Sequence, residues 1–143
     1  MKTTPTETDR EAASNFVASP GMRVWWRYKR TKREIVGQVN PDIRDGRPTG
    51  MMVVFDRGSS ALMCDAEVTA IDTDDPATVG VMLAQVEQLA TLDDIMDRWP
   101  DVAGDDRWML IATVHETQDT VRLFAPTLGA LMVAAMKALK GAT

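Results

Sequence analysis

The chain has 143 residues, 45% of them hydrophobic, and its 16 Lys and Arg against 21 Asp and Glu give a net charge of −5. This length and apolar content can bury one ordinary core or two small ones without covalent staples, while the net charge argues against indiscriminate binding to polyanions. A single cysteine, Cys64, excludes an intramolecular disulfide framework or a multi-cysteine zinc site, and no run approaches the roughly 20 apolar residues of a membrane helix.

The charge is unevenly spread. Residues 20 to 57 carry nine Lys or Arg against four Asp or Glu, whereas residues 58 to 143 carry five against fourteen. Opposed halves of this kind neutralise each other, pair between subunits, or leave the basic half for an acidic partner.

Residues 1 to 20 are rich in Thr, Glu and Ala, contain Pro5, and offer little apolar content beyond Phe16 and Val17, which predicts a flexible tail with at most one helical turn around Asp9 to Val17. The start MKTTPTETDREAA lacks the apolar core of a secretory signal, so the expectation is a protein not exported by the usual route. After Ser19-Pro20-Gly21 the vocabulary becomes that of strands. Met22 to Lys29 alternates, with Val24, Trp26 and Tyr28 on one face and Arg23, Trp25, Arg27 and Lys29 on the other. A polar turn, Arg30-Thr31-Lys32, leads to a second strand from Arg33 to Val39. Asn40-Pro41-Asp42 and Asp45-Gly46-Arg47-Pro48 then bracket an expected loop. Strands are expected at Met51 to Phe55, Ser60 to Cys64 and Glu67 to Ile71, before the acidic break Asp72-Thr73-Asp74-Asp75-Pro76.

Five short strands with no helix between them read as a small antiparallel barrel over residues 21 to 72. Gly21 before an aromatic strand, Gly37 in the second strand, and Val53-Val54-Phe55-Asp56 followed by the Arg57-Gly58 turn resemble the small barrels of the Tudor and KOW kind over residues 21 to 71. The resemblance implies binding of peptides, modified side chains or nucleic acid rather than catalysis. A methyl-lysine cage, which those readers build from several aromatics, has only Trp25 on the outward face here.

Beyond Pro76, in residues 76 to 143, the period becomes helical. Asp75 can cap a helix with Pro76 at its first position, and Val79, Met82, Leu83, Val86 and Leu89 recur at helical spacing. Thr91 with Asp94 looks like a capping box for a short helix with Leu92, Ile95, Met96 and Trp99 inside and Asp93, Asp94 and Asp97 in solvent, closed by Pro100. Trp108 to His115 and Thr120 to Phe124 form a hairpin, and a last helix runs from Thr127 to Lys140, stopping at Gly141. The fold class is therefore α+β, a five-stranded antiparallel β-barrel followed by a helix-helix-hairpin-helix layer. The hairpin, Ala125-Pro126-Thr127-Leu128 and the Ala-rich helix resemble, over residues 91 to 141, the small α/β sandwich domains encoded by bacteriophages. That resemblance implies an accessory protein of a virus or mobile element, acting in the cytoplasm of a host or in a virion.

Catalytic patterns are missing from the sequence. His115, the only histidine, reads as a turn residue at a strand end, and Cys64 lies in an apolar strand with no predicted neighbour to activate it, although sequence leaves a Cys64–His115 dyad open. Asp72, Asp74 and Asp75 begin like a calcium loop but Pro76 and Ala77 occupy ligand and glycine positions, while Asp101, Asp105 and Asp106 could chelate a divalent ion only if their loop folded back. No metal, cofactor or membrane partner is expected.

What remains is the cationic strand and its turn: Arg23, Trp25, Arg27, Lys29, Arg30, Lys32 and Arg33. They suit an acidic surface, either the acidic second half of the chain itself, with Trp25 buried in that contact, or a protein partner. The alternative is single-stranded nucleic acid, with bases stacking on Trp25 and phosphates pairing with the cations. The last helix carries Lys137 as its only charge from Leu128 to Leu139, so one side of it is expected to remain exposed and to drive homo-oligomerisation through Leu128, Leu131, Met132, Ala135, Met136 and Leu139. The sequence thus reads as a non-enzymatic interaction protein acting through protein–protein contacts, with a nucleic-acid-binding module as the rival.

Overall fold

The computed structural model describes residues 4–28, 30, 32–63, 66–97 and 107–142. The chain divides into two units, Met1–Val81 and Met82–Thr143, and is α+β with two antiparallel sheets.

In the first unit, β1 (Arg23–Tyr28), β2 (Glu34–Arg44), β3 (Arg47–Phe55), β4 (Ser60–Leu62) and β5 (Ala66–Ile71) form one sheet in the order β4-β3-β2-β1-β5. All five sequence-predicted strands are present. No pairing joins its edge strands β4 and β5 among the described residues, so these residues form an open antiparallel sheet. At three residues, β4 pairs only with the stretch Met52–Val54 of β3.

Residues 40 to 48, expected as a loop, instead prolong β2 and β3 into a two-stranded ribbon whose pairing runs out to Arg44↔Arg47. Asp45 and Gly46 both have positive φ, 53° and 76°, the geometry of a two-residue turn that follows the twist of the strands. Pro41 and Pro48 are tolerated because β1 reaches only Gln38 on one side and β4 only Met52 on the other, so no third strand asks for their missing N–H groups.

The alternation of β1 is borne out on its apolar face. Val24 and Trp26 are fully buried, and Trp26 packs edge-on against Tyr28 with centroids 4.3 Å apart and against Phe55 at 5.6 Å. Gly37 lets β2 and β3 approach beside this cluster. A Cβ there would lie 2.6 Å from Val53 Cγ1 and 2.7 Å from Val54 O.

Residues 7 to 15, expected within a tail holding one helical turn, form a complete helix. A helix, α1 (Glu7–Asn15), starts at Thr6, whose hydroxyl accepts the Asp9 N–H at 3.1 Å while Asp9 Oδ2 accepts the Thr6 N–H at 3.0 Å. Two of the N–H groups that a helix start leaves open are thereby satisfied. Asp9, Ala12 and Phe16 lie on one buried stripe, and α1 packs on β5. Asp9 Oδ1 also accepts the Thr73 hydroxyl at 3.3 Å.

The next helix, α2 (Pro76–Glu87), begins as its sequence implies: Asp75 Oδ2 accepts both the N–H (2.9 Å) and the hydroxyl (2.7 Å) of Thr78. Thr78 Oγ1 in turn accepts the Arg23 N–H at 2.8 Å and ties this helix start to β1.

The second unit holds a three-stranded sheet, β6 (Ala90–Asp97), β7 (Trp108–Val114) and β8 (Thr120–Ala125), in that order, with the helix α3 (Leu128–Ala142) against β7 and β8. The hairpin of β7 and β8 matches the sequence reading. The helix expected from Thr91 is a strand, and a bulge explains the misreading. Leu92 stands opposite Ala112 and Ile95 opposite Leu110, with a register shift between Leu92 and Asp94. The extra residue puts same-face apolar positions three apart, which mimics a helical spacing. Trp99 and Pro100 lie outside the described residues.

Substituting Gly37→Ala should destabilise the chain by about 1 to 3 kcal/mol, since the contacting groups include the strand backbone of β3 and have little room to move. Chemical denaturation of the two proteins would check this; an unchanged midpoint would contradict the close approach.

Candidate interaction face

The polar face of β1 reads in sequence either as a free binding surface or as a covered contact, and its central residue is covered: Trp25 is only 2% exposed, and its indole N–H is buried without a hydrogen-bond partner. Trp25 stands between Val36 of β2 and Ala70 of β5, and the face it shares with Arg27 is the one reached by α1, whose Arg10 meets the same carboxylate as Arg27. An indole so enclosed offers no surface for base stacking or for an aromatic cage.

The flanking cations are engaged within the unit. Arg23 Nη2 donates to Asp56 Oδ2 at 2.6 Å, and that hydrogen bond, opposed by partial burial and reinforced by the carboxylate charges of Asp56, Asp75 and Asp72, raises the Arg23 pKa above its ordinary value. Arg27 Nη2 donates to Glu34 Oε1 at 2.8 Å, and Arg10 Nη2 reaches the same oxygen at 3.3 Å. Burial is the largest single influence on Glu34 and pushes its pKa up. The Arg27 hydrogen bond, the nearby Thr69 hydroxyl, and the charge and hydrogen bond of Arg10 together outweigh it, holding the carboxyl below the usual carboxylate range.

The remaining members of the cationic set occupy the β1–β2 turn. Tyr28 closes the turn by donating its N–H to Arg33 O at 3.2 Å and accepting the Lys32 N–H at 3.0 Å, and Lys32 has a positive φ of 59°. Arg30, Lys32 and Arg33 are exposed, whereas Lys29 lies outside the described residues. The expected face is therefore split into a covered part on β1 and an exposed part at the turn.

The expected oligomer surface on α3 is corrected as well. Leu131, Met132, Ala135, Met136 and Leu139 are buried within the chain and Leu128 is half-buried. The solvent side of the helix carries Ala130, Ala134, Lys137 and Ala138, residues too small or too polar to leave an apolar stripe open. The acidic residues read as a solvated helix face belong to β6 instead: Asp93 accepts the Thr113 hydroxyl at 2.8 Å, and Asp97 receives two hydrogen bonds from Arg107, at 3.0 and 3.1 Å.

Among the described residues no group of three or more His, Cys, Asp and Glu is placed to hold a metal ion. His115 is exposed, with Nδ1 3.2 Å from Gln88 O. Cys64 and the loop carboxylates Asp101, Asp105 and Asp106 lie outside the described residues. Among the described residues, no helix is long and apolar enough to cross a membrane.

Two structural features escaped the sequence reading, the docking of a full helix over the sheet and the carboxylate that unites two guanidinium groups. The first had a signal, Thr6-x-x-Asp9 with Ala12 and Phe16 one turn apart. The second had none, because Arg10 and Glu34 are 24 positions apart. Comparison with protein-family models, with curated proteins and with solved structures returns no match.

Trp25→Ala should cost about 3 to 5 kcal/mol in chemical denaturation, as for any buried large aromatic, while Trp25→Phe, which deletes the unpartnered N–H, should cost much less. Glu34→Gln should destabilise the protein by about 1 to 3 kcal/mol at neutral pH. Because the folded-state pKa of Glu34 is depressed, its contribution is present above the unfolded-state carboxylate pKa and disappears as pH falls through the folded-state value. The stabilities of parent and variant should therefore converge in acid, and a gap that persists to low pH would contradict the ionic origin.

Proposed function

We propose that this chain is a non-enzymatic interaction protein that engages an acidic protein surface through the β1–β2 turn. The observation that carries this reading is the split of the cationic set: Arg23 and Arg27 are consumed in ion pairs, whereas Arg30 and Lys32 project from a turn that holds no carboxylate. Cations of this kind add electrostatic attraction and association rate more than raw affinity, so the expected complex is salt-sensitive.

A protein partner is favoured over single-stranded nucleic acid because the stacking group is enclosed. Phosphate contacts from the turn alone would lack the base-stacking contribution of roughly 1 to 3 kcal/mol per base. The small-barrel reading of residues 21 to 71 is supported by consecutive strands lying side by side with β1 between β2 and β5, an order that a barrel would complete by pairing its two edge strands. The resemblance to phage-encoded sandwich domains supports a partner within a viral or mobile-element assembly. Self-association stays part of the proposal only through a surface other than the buried residues of α3.

The double variant Arg30→Glu with Lys32→Glu tests the reading. Its thermal midpoint should match that of the parent, since both side chains are exposed. Binding to a partner isolated on the parent protein, and to polyglutamate as a defined acidic probe, should fall by at least about tenfold at low salt. Tight binding of an oligonucleotide by the parent, with no response to polyglutamate, would transfer the turn to the rival function.

A further inference from the structure

A cleft of about 270 Å³ opens in the first unit between α1 and the edge of the sheet, with Arg10 and Ser14 on the helix side and Arg27, Glu67 and Thr69 on the strand side. Three features of this cleft are unusual for a surface crevice. Arg27 faces two carboxylates, for it is paired across the sheet with Glu34 on β2 and with Glu67 on β5, yet its Nη2 goes to Glu34 alone. Its Nε is buried and has no hydrogen-bond partner. Glu67, although directly opposite a guanidinium, is exposed and has no ion pair among the described residues.

The edge of β5 is shaped for a small molecule rather than for another strand. Val68 stands opposite Trp26 and Ala70 opposite Trp25, which makes Thr69 an extra, bulged residue. Its hydroxyl donates to the Trp25 carbonyl at 3.2 Å. A bulge in an edge strand interrupts the ladder that an added strand would need, and it turns a side chain toward the neighbouring space.

We infer that the cleft binds a small zwitterion of the free amino-acid class. Its carboxylate would be received by the guanidinium groups of Arg10 and Arg27, and its ammonium by Glu67. A simple anion would meet the Glu67 charge and a simple cation would meet two guanidinium groups, whereas a ligand carrying both signs a few ångströms apart answers each group with its opposite. Glu34 serves as the positioning residue, because its one oxygen holds both guanidinium groups, at 2.8 and 3.3 Å. The site is independent of the turn proposed above as the protein-binding element.

The test is a titration of the intact, isotopically labelled protein with individual free amino acids, following backbone amides of β5 and the two indole N–H resonances of Trp25 and Trp26 by NMR. Acetate and methylammonium serve as single-charge controls. At least one amino acid should produce saturable shifts at roughly millimolar concentration, and the controls should produce none at the same concentration. Arg27→Gln should weaken binding by at least about tenfold. Since that change could disturb the fold, Ser14→Trp supplies a second variant: position 14 is exposed on α1, so an indole there should plug the cleft and abolish binding while leaving the thermal midpoint unchanged. Absence of saturable shifts with every amino acid, equal shifts with acetate, or undiminished binding by Ser14→Trp would each overturn the assignment.

Discussion

The first unit depends on a strand that is buried on both sides. β1 takes hydrogen bonds from β2 and β5, presents Trp26 to an aromatic cluster on one face, and places Trp25 beneath cover on the other. A strand in this position cannot also offer the Trp25 indole to a ligand. Enclosing the Trp25 face brings charged groups out of water, and the solution is a shared carboxylate: Glu34 receives Arg27 from the neighbouring strand and Arg10 from the helix above. Opposite charges placed this close, in surroundings less polar than water, strengthen their hydrogen bonds, which is why the Glu34 carboxyl stays ionised despite its burial.

This arrangement changes the meaning of the basic segment. Six cations on and after a strand look in sequence like one surface, but packing gives the two on β1 tasks within the unit. Arg23 fastens the strand to the Asp56 turn, and Arg27 helps to fasten the helix. Arg30 and Lys32 at the turn are exposed and lie away from that contact. The charge is therefore spent first on cohesion of the unit and only then on recognition, which is a reasonable outcome for a chain whose overall charge is negative.

The covered face also leaves a residue of unsatisfied chemistry. Trp25 Nε1, Arg27 Nε and Glu34 Oε2 are all buried without partners, and all three belong to side chains on the same side of the same two strands. An unmet polar group inside a protein costs about 1 to 3 kcal/mol, so covering this face carries a polar cost. The cleft beside α1 lies against one of these groups, the Arg27 guanidinium.

Much of the local structure was legible in the residues. The five strands of the first sheet, the Asp75 cap, the β7–β8 hairpin and the last helix follow from alternation, capping and helical period, which act over a few residues. Errors arose where two local signals coincide or where distant residues decide. The bulge after Leu92 gave a strand the spacing of a helix, and the Asp45-Gly46 turn was hidden by two prolines whose tolerance depends on the absence of neighbouring strands. The sequence by itself determined the α+β composition, the aromatic core of β1 and the concentration of positive charge between residues 20 and 57. Whether Trp25 faces solvent, which cations remain available, and whether α3 leaves an apolar side open were decided only by the tertiary structure, because burial and ion pairing depend on residues that are far apart along the chain and become neighbours only on folding.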